Sequence, residues 1–243
     1  MNKKVALVIG GNGGIGSASV VQLLRDGFKV YATFFNNRSH LDKIINSNEL
    51  HLVHCDVTSE HAIQDVVSLI LGKENSVDVV VFTVTAPLKN ARALDLEWSE
   101  FDLNINLQIK PLLYVVHALE DQIRSGFTIK FIVVLTEYCI ANPPKGLSHY
   151  VTAKYAAMGF SKTLAMELSE YKCTVNMISP GMVETSLLNS LPPKLIEITA
   201  YSNPLKRNAM PDDIAGAISF LASEKSDFIN GANIVINGGG VLA

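Results

Sequence analysis

Short runs of apolar, mostly β-branched residues recur along this 243-residue chain, and between them lie longer stretches whose apolar positions return every three or four residues. The short runs are VALVI (5–9), KVYATFF (29–35), LHLVH (50–54), VDVVVF (77–82), IKFIVVL (129–135), TVNMI (174–178) and NIVIN (233–237). Each has the length of a strand, and unbroken apolar character predicts burial on both faces. Strands alternating with amphipathic helices predict right-handed crossovers and a parallel sheet, hence a doubly wound α/β fold of seven strands in three layers, helix over sheet over helix. No repeat, low-complexity tract or linker divides the chain, so residues 1–243 read as one domain. The alternation is least regular from Glu184 to Pro211, and segment 184–210 reads as a variable flap over the site.

Between the first strand and the first amphipathic stretch stands GGNGGIG, with Gly10, Gly14 and Gly16 in G-x-x-x-G-x-G spacing around Asn12 and Ile15. Glycine there lets a tight turn bring backbone close to a pyrophosphate, while the following helix N-terminus offers unpaired N–H groups and partial positive charge. The strand-turn-helix context that such a motif requires is met, which predicts a nucleotide cofactor on a Rossmann-type sheet.

Composition narrows the classes. Hydrophobic residues make up 48% and charged residues 18%, which suits one large core. A net charge of −3, with the Lys and Arg scattered, excludes a phosphate-tracking surface, so no nucleic-acid partner is expected. Cys55, Cys139 and Cys173 stand far apart without C-x-x-C, arguing against a disulfide framework and against a zinc site. No metal is expected. The apolar run of Val5–Ile9 is too short for a signal peptide, and no run reaches membrane-spanning length, so the expected location is the cytoplasm.

HYVTAKYA (149–156) sets Tyr150 and Lys154 one helical turn apart, with Cβ atoms roughly 5–6 Å from each other. By itself the pair is weak, since a Y-x-x-x-K spacing arises by chance about 0.4 times in such a composition. It does not stand alone. The glycine turn, Cys55-Asp56-Val57 after the third strand, Asn106 in NINL, the Tyr150/Lys154 pair, Asn176 and Pro180-Gly181 in VNMISPGMVET, and INGANIVINGGG near the end follow one another in order. On these motifs, over nearly the whole chain, the sequence resembles the short-chain dehydrogenase/reductase family, in particular its bacterial 3-oxoacyl thioester reductases.

The resemblance implies roles. Tyr150 would protonate a substrate ketone as hydride arrives, Lys154 would hold the nicotinamide ribose, and Asn106 would support a water-linked proton path. Pro180, Gly181, Val183 and Thr185 would contact the nicotinamide carboxamide, and Asp56 and Val57 would flank the adenine. It also implies a homotetramer or homodimer. Physically, Lys154 at about 4 Å would favour the Tyr150 phenolate by roughly 4 kcal/mol at an effective dielectric of 20, or about three pKa units.

The loop FFNNRSH, about 20 residues past the glycines, lacks the carboxylate that selects NAD. Asn36 and Arg38 offer amide donors and a guanidinium to a 2′-phosphate, so NADP(H) is favoured over NAD(H), the alternative being that Arg38 only caps a solvated loop. Three places depart from the family pattern, the least of them Ile9, where the family often has Thr and only local bonding is expected to be lost. No serine precedes the tyrosine; Thr136 and Glu137 occupy that region, and Thr136 is the better donor to a carbonyl oxygen. Thr83-Val84-Thr85 replaces the family's N-N-A-G, leaving the hydroxyls of Thr83 and Thr85 as weak cofactor contacts. His149, and the pair His51 and His54, read as structural. The expected activity is NADPH-dependent reduction of a small carbonyl substrate, such as a 3-oxoacyl group on a carrier. Two alternatives stay open: a sugar or secondary-metabolite ketone, or an NADPH-binding protein whose catalysis has faded with the serine.

Overall fold

The computed structural model describes residues 3–44 and 47–242. Seven strands form one sheet: β1 (Val5–Ile9), β2 (Lys29–Phe34), β3 (Leu50–His54), β4 (Val79–Phe82), β5 (Lys130–Val134), β6 (Thr174–Pro180) and β7 (Asn233–Ile236). Their order is β3-β2-β1-β4-β5-β6-β7 and every neighbouring pair is parallel. The chain therefore runs outward from β1 to one edge, returns, and runs outward to the other. Its reversal lies between β1 and β4, the place where doubly wound sheets bind ligands at the carboxyl ends of their strands.

The helices are α1 (Gly14–Arg25), α2 (Glu60–Glu74), α3 (Trp98–Ala118), α4 (Glu120–Arg124), α5 (Ser148–Glu167), α6 (Pro193–Ser202) and α7 (Pro211–Ala222). Side-chain alternation along β1 separates two cores. Val5, Leu7 and Ile9 point into a cluster with residues of α2, α3 and α5, whereas Ala6 and Val8 point into one with residues of α1 and α7. All five are buried, which is why the strand reads as an unbroken apolar run. Only a short 3₁₀ turn, Leu41–Lys43, stands among the described residues between β2 and β3, where the alternation predicts a helix.

Segment 184–210 is more ordered than its composition suggests. A 3₁₀ turn at Ser186–Ser190 precedes α6, and Val183 bridges Ala209, so both ends of the segment are tied together. Pro193 begins α6 in the position where the missing N–H is tolerated. All three cysteines are buried and free, and no helix among the described residues is long and apolar enough to cross a membrane.

Candidate active site

The glycine turn leaves β1 at Gly10, whose φ of +83° is accessible to glycine and strained for other residues. Gly16 meets a different demand: a Cβ there would lie 2.3 Å from the Gly10 carbonyl oxygen. Two threonines hold the turn. The Gly10 N–H donates to Thr33 Oγ1 at 3.0 Å, and the Thr83 hydroxyl lies 2.9 Å from the Ile9 carbonyl oxygen and 3.0 Å from that of Gly10. Thr83 thus braces the turn from the end of β4, and Thr33, which no sequence motif marks, braces it from β2. Gly13 caps α1 without a side-chain acceptor, and no acidic residue occupies the first turn. That arrangement fits a diphosphate: a glycine cradle with no room for side chains, below helix N–H groups that no side chain has claimed.

Asn12 projects from the turn toward the loop after β2. Its Nδ2 donates to Asn37 Oδ1, and its Oδ1 accepts from the N–H groups of His40 at 2.9 Å and Leu41 at 3.3 Å. Asn36 and Arg38 lie exposed on this loop. Arg38 pairs with Asp42 at 3.1 Å, and both side chains are about half exposed, an ion pair of small net energy that leaves the guanidinium available. Asp56 accepts from the Thr58 N–H at 2.9 Å and hydroxyl at 2.7 Å, fixing the turn beyond β3, and Val57 is buried beside it. Thr85 makes one long contact, 3.4 Å to the Ala86 carbonyl oxygen.

A small cavity of about 100 Å³ gathers Ile15, Thr136, Tyr150, Pro180, Gly181, Val183 and Thr185 at the sheet's reversal, and Leu187, Leu188 and Leu191 of the flap complete its wall. The larger groove along α1, about 1160 Å³, reaches Gly14 and Thr185 but not Thr136, Tyr150 or Lys154. Thr136 follows β5, is buried, and lines the same cavity as Tyr150, where its hydroxyl opposes the rise that burial imposes on the phenol. Glu137 turns the other way. Its Oε2 accepts from Asn237 Nδ2 at 3.1 Å, and its carboxylate borders a separate cavity of about 460 Å³ behind Gly181 and Met182. Burial raises the Glu137 carboxyl above the usual range, and the Asn237 bond only partly opposes this.

Lys154 and Asn106 each make contacts that the sequence does not predict. Lys154 Nζ is 5.9 Å from the centre of the Tyr150 ring and is held by other groups, donating to Gln108 Oε1 at 2.9 Å and to the Val134 carbonyl oxygen at 2.8 Å. Burial moves both groups toward neutrality: it raises the phenol, against the Thr136 hydrogen bond, and lowers the Lys154 amine to about 8. Asn106 is the second. Its Nδ2 donates to Asp102 Oδ2 at 2.8 Å on a partly exposed face of α3, and the α3 side chain on Lys154 is Gln108, two residues on. Helical geometry gives the reason, since two residues turn a helix by about 200°. Asn104, Gln108, Pro111, Leu112 and Val115 share the buried face and Asn106 does not. Counting back four from Leu112, and four again, would have found Gln108 and Asn104.

The histidines have no ligand roles in this arrangement. His51 stacks on Tyr31 at 4.6 Å and His54 lies 5.6 Å from Phe35, on opposite faces of β3. His149 is fully buried against Phe101 with no partner on either ring nitrogen, and burial lowers its pKa.

A family model described as Enoyl-(Acyl carrier protein) reductase matches residues 10–240. The chain belongs to the short-chain dehydrogenase/reductase family. It is an oxidoreductase of that family. Among its relatives, the 3-oxoacyl-[acyl-carrier-protein] reductase of Staphylococcus epidermidis is 28% identical over 249 residues, covering 98% of this chain and 99% of its own. The acetoacetyl-CoA reductase of Shinella zoogloeoides is 29% identical over 237 residues, covering 97% and 98%. In fold, the solved structure of ElxO with NADP bound superposes with a TM-score of 0.88 at 23% identity, covering 98% of both chains. Against the pattern of this family, one local departure is the placement of Thr136 and Glu137, the hydroxyl in the cavity with the tyrosine and the carboxylate turned away.

Proposed function

We propose that this chain reduces the ketone of a 3-oxoacyl thioester to a secondary alcohol, with NADPH as the hydride source. The observation that carries the reading is that Thr136 and the buried Tyr150 share one cavity with Ile15, Pro180, Gly181 and Thr185, the threonine hydroxyl favouring the phenolate. The names and full-length match of the curated relatives support the substrate class. The uncharged cradle of Gly10, Gly14 and Gly16 would take the diphosphate, Asn36 and Arg38 the 2′-phosphate, Asp56 and Val57 the adenine, and Val183 and Thr185 the carboxamide. Bound there, the cofactor supplies hydride.

The remaining work falls to the chain's own side chains. Tyr150 gives its phenolic proton to the ketone oxygen, and Thr136 donates a hydrogen bond to that oxygen and favours the phenolate left behind. Lys154 keeps a proton reservoir one helical turn below. The protein should consume NADPH when mixed with acetoacetyl-CoA. Tyr150→Phe should lower kcat/KM by at least about 10²-fold, and Thr136→Ala by roughly 10²-fold. Absence of turnover with acetoacetyl and longer 3-oxoacyl thioesters would remove the proposal.

A polyhydroxylated ketone is favoured by one feature, the cavity shared by Glu137, Asn203, Asn208 and Asn237. Asn208 is buried and its Oδ1 has no partner, leaving an acceptor for a hydroxyl donor. Faster NADPH consumption with aldoses or ketoses than with thioesters would move the assignment there. The homotetramer or homodimer implied by the family resemblance is part of the same proposal and is read by sedimentation.

A further inference from the structure

Lys154 is 3% exposed, yet its two hydrogen bonds go to neutral oxygens and not to a carboxylate. Lys130, the other buried lysine, is bound by Asp227 at 2.6 Å. A buried ammonium without an anionic partner is costly, so what surrounds it decides both its direction and its charge.

We propose that Gln108 is the positioning residue of this active site: with the Val134 carbonyl it takes two hydrogens of the Lys154 amine, and so directs the remaining valence of that nitrogen and sets its charge.

The carboxamide can do this in one orientation only. Oε1 faces Lys154 Nζ at 2.9 Å and Nε2 donates to the Val84 carbonyl oxygen at 2.8 Å. Reversed, it would set donor against donor and acceptor against acceptor. Gln108 is 8% exposed, so neither contact is readily replaced by water. The bonds tie the chain after β4 to α3, α3 to α5, and α5 to the end of β5. An ammonium has three hydrogens, of which the cradle takes two and leaves one. A neutral amine has two, and with both taken its lone pair remains. Both protonation states therefore keep the same two hydrogen bonds in one geometry, which suits an amine that burial has lowered to about 8.

The charges facing Lys154 are few. The turn after β5 brings the Cys139 thiol, itself pushed up to about 11 by burial, and α5 brings the Tyr150 phenol. The contacts from α3 and β5 are the Gln108 carboxamide and a backbone carbonyl, without charge. A carboxylate at position 108 would therefore be a new anion in direct contact with the amine.

The experiment compares the wild type with Gln108→Glu, nearly identical in shape, and Gln108→Leu, similar in size without hydrogen bonds. Carbon-13 NMR of the lysine Cε, with the Lys154 signal assigned by its loss in Lys154→Arg, reads the amine directly. Wild type should titrate near pH 8, Gln108→Glu at least about one unit higher, and Gln108→Leu lower than wild type. This readout needs neither substrate nor cofactor, so it stands or falls separately from the ketone-reductase reading on which the word "active" rests. Where turnover is measured, the alkaline limb of kcat/KM should move with the NMR value, and Gln108→Leu should lose roughly tenfold in kcat with little change in KM. An unmoved Lys154 titration in folded Gln108→Glu overturns the proposal, and that variant decides it even if Gln108→Leu does not fold.

Discussion

Glu137 stands next to the position where the family resemblance implies a hydroxyl, and the fold turns its carboxylate away from the cavity that holds Tyr150. Its carboxyl is raised by burial, so the folded state binds more protons than the unfolded one over the interval between the two pKa values. The stability associated with the neutral form is fully present below the ordinary carboxyl pKa and is lost as pH rises through the folded value. Glu137→Gln keeps an oxygen for Asn237 and removes the charge. It should raise Tm at pH 7.5 by up to about 4 °C, the shift of roughly 1 kcal/mol in a chain of this size, and the gain should vanish below about pH 4.5. Thermal melts across pH check this, and an equal gain at every pH would refute it. At this scale the sequence was only partly legible. Residue types showed that a hydroxyl and a carboxylate competed for one place, but which of two adjacent side chains faces Tyr150 depends on the twist of the backbone leaving β5. In the structure Thr136 caps the following 3₁₀ turn and faces inward.

Elements were more legible because their signal is summed over many residues. Each apolar run became a strand, within two residues at either end, since a strand covered on both faces needs apolar residues throughout. Helix phase carries information of the same kind, and reading it along α3 separates Gln108 from Asn106 where a motif comparison does not. The irregular look of 184–210 misled for a local reason: LPPK reads as a breaker, yet Pro192 and Pro193 begin α6 rather than interrupt it. One element is weaker than it need be. Gly72 lies exposed inside α2, three residues before the left-handed Asn75 that ends it, and a Cβ there would meet nothing within 4 Å. Gly72→Ala should stabilise the protein by about 0.5–1 kcal/mol, measured by urea unfolding, with unaltered turnover.

Across the whole molecule, two half-sheets meet at the β1–β4 reversal, and every residue assigned to cofactor or chemistry sits on the carboxyl side of that seam or on the loops above it. Topology was legible from the alternation of elements; the seam's inner surface was not, because it is assembled from residues more than a hundred positions apart. A ligand spanning both halves should stiffen the fold. NADPH at a hundred times its Kd should add about 2.7 kcal/mol, or roughly 5–11 °C in Tm, and NADH at equal concentration should add less. Equal shifts from the two would count against Arg38 and Asn36 as the selecting pair. The clasp formed by Asn12 gives this comparison a mechanical side. One amide spans the glycine turn and the loop that carries Asn36 and Arg38, so on the proposed cofactor placement choosing between the two nucleotides and gripping either of them are not independent acts. A chain lacking that clasp would keep its specificity groups intact and still lose discernment, as a lock whose pins are sound but whose cylinder turns loosely in the door.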